Sequence, residues 1–310
     1  SKKEDGTPSD LTGADGQYMV EIPSHFIRFS RIGKFMDVLI SLQPLAGFQV
    51  VPKHYVGAGK MVVDRSTNTG CSVVSMDPKY RGGANQASWD EEPKSQLGMA
   101  ATNISLTNFR EYSIKRGTGW CVRPYLSVQA VYWLYMVEYA NLNSQSAFTT
   151  ALTSEGYKQG GLGAGVTTAV SANWGAFNDY YPLVKEGTTL SLGNNTGIVP
   201  VNVGDSENKF SFDVPSYRGI ENPFGHLWER LDGVIFKIYG KDSGATTEGY
   251  ACNDPSKFAN ELNSCYIRVS TTQNVGGWVK EIQRGDNGCI IPAAMGGSST
   301  RYFRDSYYTD

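Results

Sequence analysis

The chain has 310 residues, with 28 Lys and Arg against 30 Asp and Glu. The resulting formal net charge of −2 excludes the strong basic excess of a nucleic-acid binder. Charged residues are only 19% and aromatics 12%, with 18 Tyr and 35 Gly, which fits either a binding surface of rigid amphipathic rings on adaptable backbone or a loop-rich β protein.

Residues 1–15 carry Gly, Pro, Asp and Ser with no apolar period and read as a linker or tail. Lys2 and Lys3 are followed by no apolar core of a signal peptide, so the protein leaves its cell by another route or the sequence is a fragment. From Gln17 the pattern is strand-like: Met19, Val20 and Ile22, then Phe26, Ile27 and Phe29 beyond the break at Pro23, then Met36–Leu42 and Gly47–Val51. Segment 60–110 reads as mostly loop, with Lys79–Ser88 too polar and Gly-rich to pack. A short helix is expected over Leu106–Lys115, with Thr107 as its cap. The clearest helix follows Ser127 as cap, with Val128, Val131, Leu134 and Tyr135 on one face, and ends where 141–146 turns polar. That stretch holds Gln129 and Glu138 and is too short to cross a bilayer. Beyond Ser146 little helix is expected, only short β-like runs such as Val199–Val203, Val234–Tyr239 and Tyr266–Ser270. The expectation is an α+β fold of loop-rich antiparallel sheets with one or two helices, a single domain over 16–310 with a β-rich part over 16–100.

Motifs for catalysis are missing. His25, His54 and His226 lie far apart in unlike contexts, with no HxxxH or HxH pair, and read as structural or solvated. Gly156–Gly165 has no apolar strand before it and no Lys-Ser/Thr after it, so it reads as a Gly-rich surface loop. Asp90, Glu91 and Glu92 are consecutive in a charged loop. No GxSxG, HExxH or Cys/His nucleophile setting occurs. Cys71, Cys121, Cys252, Cys265 and Cys289 have no CxxC spacing. Their odd count fits buried thiols made in a reducing cytosol, and only Cys252 and Cys265 are close enough in sequence to suggest a bridge.

Several segments carry a resemblance. Asp5–Pro23 (DGTPSDLTGADGQYMVEIP), Gly47–Pro52 (GFQVVP), Gly119-Trp120 and Leu134–Gln145 (LYMVEYANLNSQ) resemble phage and prophage tail adhesins of gut bacteria. Ser216–Gly233 (SYRGIENPFGHLWERLDG) is similar to the RGxENPxGNxWEWxDG block of the formylglycine-generating-enzyme subclass of the C-type lectin fold. Physical chemistry makes this block, Arg218 included, a scaffold: Glu221 and Asn222 with Pro223 and Gly225 in a tight turn, Trp228 alternating with Glu229 as in a half-buried strand, and Asp232-Gly233 at the next turn. The resemblance implies a ligand-binding face at the C-terminal end, in such proteins often diversified by a retroelement. Here that end holds Ser298, Arg301, Tyr302, Phe303, Arg304, Asp305, Tyr307 and Tyr308, residue types that stack and pair with receptors; the alternative is an ordinary tail strand. Family chains continue through a Gly-rich segment and a closing strand, so the expectation is a domain lacking that strand or a trimmed sequence. The family enzyme uses a pair of copper-binding cysteines, and Cys289 has no near partner, so oxidase activity is not carried over. Nor do the Glu-Pro-Asn, Gln-Pro-Asp or Trp-Asn-Asp sequences of calcium lectins occur, so no metal or cofactor is expected. The resemblance thus implies a virion tail or fibre adhesin, made in the bacterial cytoplasm and acting outside it. Its partners would be a host-surface glycan or protein, other tail proteins and copies of itself, a trimer among the options, with no nucleic acid and no membrane insertion. A structural decoration or baseplate protein is the alternative.

Overall fold

Short alternating runs punctuated by Gly, Pro, Asn and Asp fold here into small sheets. The computed structural model describes residues 5–33, 35–140, 148–152, 154, 158–160, 171–224, 227–239, 246–273, 277–284, 290–295 and 306–307. Its elements run β1 (Met19–Ile22), β2 (His25–Ile32), β3 (Phe35–Ser41), β4 (Gln49–Val51), β5 (His54–Gly57), β6 (Val62–Asp64), β7 (Thr69–Cys71), α1 (Leu106–Ile114) and α2 (Tyr125–Tyr139). Then come β8 (Phe148–Leu152), β9 (Lys158–Gly160), α3 (Ser171–Asn178), β10 (Gly197–Gly204), β11 (Lys209–Tyr217) and β12 (Ile220–Glu221). The last are β13 (Val234–Tyr239), β14 (Thr246–Ala251), β15 (Ile267–Gln273), β16 (Gly277–Arg284), β17 (Ile290–Met295) and β18 (Ser306–Tyr307). The fold is mixed α+β, with antiparallel sheets of two or three strands and three helices among the described residues.

The chain folds into two compact units. The first takes Ser1–Glu21, Tyr55–Cys121 and Leu162–Glu229; the second takes Ile22–His54, Val122–Gly161 and Arg230–Asp310.

In the first unit, β10 and β11 form a hairpin paired from Gly197↔Ser216 to Gly204↔Lys209. Gly204 at φ 112° and Asp205, whose carboxylate accepts the N–H groups of Glu207 and Asn208, make the turn. Alternation along β11 sends Phe210, Phe212 and Val214 inward onto Phe177 of α3, Leu183 and Val184. Pro200 sits on β10, the sheet's edge, where a missing N–H is tolerated.

Four expectations are corrected in this unit. Residues 5–15 are docked rather than a free tail: Leu11 O accepts the Val74 N–H at 2.8 Å, and two Asp-centred turns at Asp5 and Asp10 hold the rest. The Lys79–Ser88 stretch packs. Tyr80, Gly82 and Gly83 are buried, Gly82 N donates to Gln96 O and Gly83 N to Ala100 O, and Arg65 reaches the carbonyls of Arg81 and Gly83. A β-carbon at Gly82 would lie 2.5 Å from Met99 O, so glycine there permits backbone contact instead of marking a loose loop. Ser105, not Thr107, caps α1, accepting the Asn108 N–H. And α3 is a helix in a region read as having little.

In the second unit β2 lies between β3 and β4, and alternation turns Ile27 and Phe29 toward α2, Phe29 meeting Trp133 edge-on at 4.9 Å. Helix α2 starts three residues before the expected place. Pro124, at φ −68°, precedes its first turn, and Ser127 is buried inside it. Ten of its fifteen residues are buried, so it is a core helix rather than an amphipathic one: Tyr132 and Trp133 are buried while Leu134, expected inward, is half-exposed. Ala140 ends it at φ 52°. Within the Gly-rich 156–165 stretch, Lys158–Gly160 forms β9, paired with β8.

The aromatic core of the first unit yields a direct test. Phe212→Ala should lower unfolding free energy by about 3–5 kcal/mol in urea titration; a loss below about 1 kcal/mol would remove Phe212 from the packing that supports the hairpin.

Candidate functional site

The 216–233 block is built on a two-residue hairpin. Tyr217↔Ile220 and Ser216↔Glu221 pair across β11 and β12, leaving Arg218 and Gly219 as the loop at φ 48° and 85°. Positive φ at both central residues matches the twist of the strands, and it costs a side chain such as that of Arg218 about 1–2 kcal/mol. The turn therefore lies at Arg218-Gly219, three residues before the sequence expectation placed it, although an x-Gly pair between two strand-like runs is the signal for it. Asn222 follows at φ 45°, its N–H donating to Pro215 O at 2.8 Å, and Pro223 is buried. Gly225 lies outside the described residues.

This hairpin delivers Glu221 into a buried ionic cluster that nothing in the sequence announced. Glu221, 4% exposed, accepts the Thr189 N–H at 2.6 Å through Oε2, and its own N–H donates to Ala58 O. Glu186, 6% exposed, accepts the Lys60 N–H at 2.7 Å. The Lys60 ammonium donates to Asn222 O at 2.8 Å and pairs with Glu229. Gly59 is required here, because a β-carbon on it would collide with the Glu186 carboxylate. Burial pushes the Glu186 carboxyl well above the usual range, and the neighbouring Glu221 charge pushes it further, against the Lys60 N–H and ammonium. Burial raises Glu221 as well, opposed by its hydrogen bonds to Thr189 and Gly187. The two carboxyls share one environment and titrate as a pair. Perturbed acids of this kind mark functional sites in many folds, but these two are out of solvent and tied to backbone, so the arrangement is one that fastens three stretches of chain.

Glu229 turning in to Lys60 also corrects the reading of its neighbour. Residues 227–231 form no strand, and Trp228 is 90% exposed instead of half-buried. An exposed indole of that size is the type of side chain that anchors partners. Asp232 is buried and organises backbone in the second unit: its carbonyl accepts the Tyr125 N–H at 2.8 Å, its N–H donates to Arg123 O, and its carboxylate accepts the Gly233 N–H. Gly233, at φ 79°, lies where a β-carbon would meet Phe258 and Cys252 O.

Two histidines called unrelated prove to be alike. His25 and His54 each follow a proline by two positions, and each ring Nδ1 is hydrogen-bonded to that proline's carbonyl, at 3.0 and 2.9 Å. Burial lowers the His54 pKa, helped by the charges of His25 and Arg123. The repeated Pro-x-His was visible in the sequence. His226 lies outside the described residues. Cys252 and Cys265, the one pair close enough in sequence to suggest a bridge, form a disulfide; Cys71 is a buried thiol in the cluster with Val62, Val73 and Tyr80. Among the described residues no group of three His, Cys, Asp or Glu is placed to hold a metal ion.

Of the expected ligand face, Ser298, Arg301, Tyr302, Phe303, Arg304, Asp305 and Tyr308 lie outside the described residues. The backbone of Tyr307 belongs to β18, which pairs with β16 through Gly277↔Tyr307 and Trp278↔Ser306.

The buried acid pair has a measurable signature. Both carboxyls are raised above their ordinary 4.5, so their contribution to stability is complete below that pH and is lost as pH rises through the folded-state values. Glu186→Gln keeps an acceptor for Lys60 N–H and removes the titration. As pH rises above the ordinary carboxyl range, urea unfolding of the parent should weaken relative to the variant by up to about 1.4 kcal/mol per pH unit. Parallel curves would show that Glu186 does not titrate in the fold.

No family model, curated protein or solved structure matches the chain.

Proposed function

We propose that the chain is a non-enzymatic receptor-binding protein of a phage or prophage virion, with a C-type-lectin-like fold of the formylglycine-generating-enzyme subclass. It recognises a host-surface glycan or protein through Arg301, Tyr302, Phe303, Arg304, Tyr307 and Tyr308. The observation that carries this reading is the density of Tyr and Arg in the last ten residues, together with the 216–233 block. One feature supports it: the disulfide suits a protein that works outside the reducing cytosol.

A structural role in the virion is favoured by one observation. On the β3–β2–β4 sheet, Leu39 and Val50 are exposed, and Leu42 and Leu45 beside them are exposed too. Apolar groups gathered in this way mark contacts with other proteins.

Alanine at Arg301, Tyr302, Arg304, Tyr307 and Tyr308 together should abolish adsorption of the purified protein to host cells; adsorption equal to the parent's would reject this face as the receptor site. Antibody-labelled electron microscopy of virions should find the protein at the distal tail tip, whereas label confined to head or baseplate would favour the structural role.

A further inference from the structure

The three-stranded sheet β13–β14–β15 buries one face; the disulfide-closed loop partly covers the other at Ile235 and Tyr250, and Lys237, Tyr239 and Arg268 remain exposed on it. Inward, Val234, Phe236 and Val269 pack with Ala251 and Tyr125. Register places Lys237 opposite Glu248 and Tyr250 opposite Arg268, and Tyr239, two residues from Lys237, shares their side of the sheet.

Arg268 stands on that side because of a bulge. Gly249 pairs with Ser270 but Tyr250 pairs with Arg268, leaving Val269 as the extra residue. Ser270 points inward and Val269 packs into the core with it. With regular alternation Arg268 would point inward as Ser270 does; the inserted residue re-aims it outward.

The outward groups are held in place. Glu248 Oε2 accepts the Tyr250 hydroxyl at 2.5 Å, and Oε1 accepts an Arg268 guanidinium N–H at 2.6 Å. These bonds, Tyr250's first, hold the Glu248 carboxyl below its usual range and push the Tyr250 hydroxyl up, so the pair stays carboxylate and phenol. The Lys237 ammonium lies 5.2 Å above the Tyr239 ring. Even so, Arg268 keeps 59% of its side-chain surface in solvent and Tyr239 40% of its own. Arg268 pairs with Glu248 and Lys237 stands opposite Glu248 in the register, which puts two cations and one carboxylate on this side of the sheet in a chain whose net charge is −2.

We propose that this face binds a carboxylated saccharide. The sugar ring stacks on the aromatic rings, and its carboxylate is received by the remaining donors of the Arg268 fork and by Lys237. Because Glu248 has already fixed Tyr250 and Arg268, little side-chain freedom is lost on binding. The site uses none of the C-terminal residues above and does not rest on that reading.

The test titrates the whole chain with sialyllactose and with an oligogalacturonate, lactose serving as the neutral control, by saturation-transfer NMR and calorimetry. Saturable binding of at least one acidic sugar is expected, with lactose weaker by about tenfold or more. Arg268→Gln and, separately, Tyr239→Ala should each weaken the acidic sugar by about tenfold. Lys237→Gln, a solvent-facing change on an edge strand, should weaken it several-fold with an unchanged melting temperature, and this variant decides the matter if the other two fail to fold. Absence of transfer to both acidic sugars, equal binding of lactose, or undiminished binding by the folded variants would each overturn the proposal. Loss of host-cell adsorption only on changing residues 301–308, with the acidic sugars still bound, would leave this site standing as a separate one.

Discussion

Lys60 is the group on which the first unit depends. Its ammonium is largely withdrawn from water, with Glu186, Glu221 and Glu229 around it. Removing such an ion from water costs several kcal/mol unless partners meet it on every side. That demand explains features that look separate in the sequence. Gly59 must lack a side chain so that Glu186 can approach. Asn222 takes a left-handed angle, and its carbonyl meets the ammonium. Glu229 turns inward and leaves Trp228 outside. With three carboxyls against one ammonium, burial and the neighbouring Glu221 push the Glu186 carboxyl well above its ordinary range. A polar cluster of this type specifies one arrangement of chain where apolar packing would tolerate several.

The second unit is organised instead by an apolar helix and a covalent tie. Helix α2 is buried on nearly all sides, and Asp232 fastens the start of the helix to the strand region that follows. Among the small sheets here, such a helix supplies the core that two- and three-stranded sheets cannot supply alone. The Cys252–Cys265 disulfide closes the loop between β14 and β15, whose Phe258, with Tyr266 beside it, packs against Ile235 and Tyr250.

Legibility in the sequence followed the range of the interactions. Strands β2, β3 and β13 show in their alternation because each has one apolar side, a local property. Helix α2 shows as an apolar run, but its start does not: Pro124 fits an N-terminal position as well as Ser127 fits a cap, and only packing chooses between them. Helix α3 (SANWGAFN) is built from weak helix formers and owes its existence to Phe177 packing with Phe210 and Phe212, more than thirty positions away. Glu186 sits in Val-Lys-Glu-Gly-Thr, which reads as surface, and the Lys60 that makes its burial tolerable is 126 residues distant. The Gly82-Gly83 pair was read for flexibility, whereas the structure uses its lack of side chains for close backbone contact. The connection of Glu221 and Glu229 in the 216–233 block to a buried ion cluster was not legible, since charge pairing across the chain leaves no periodic mark.

The same reasoning separates Tyr residues that composition alone treats as equal. Tyr132, Tyr135 and Tyr139 are consumed by the interior of α2, Tyr135 and Tyr139 stacking at 4.8 Å. Tyr239 and Tyr250 sit on an outer face, and what distinguishes them is the carboxylate of Glu248, which fixes Tyr250 and Arg268 at once. The order of that face also depends on the loop behind it. Closing a loop with a sequence separation of 13 removes freedom from the unfolded chain, about 3 kcal/mol for a loop of this length, and the closed loop is the surface against which Tyr250 and Ile235 pack. Rigidity at Tyr250 therefore originates in a covalent bond fifteen positions further along the chain at Cys265, and a bulge at Val269 then sets Arg268 beside it. Preorganisation of this kind, from backbone irregularity and cross-link rather than from regular sheet, is how a loop-rich chain of low charge can hold polar groups still while leaving them exposed.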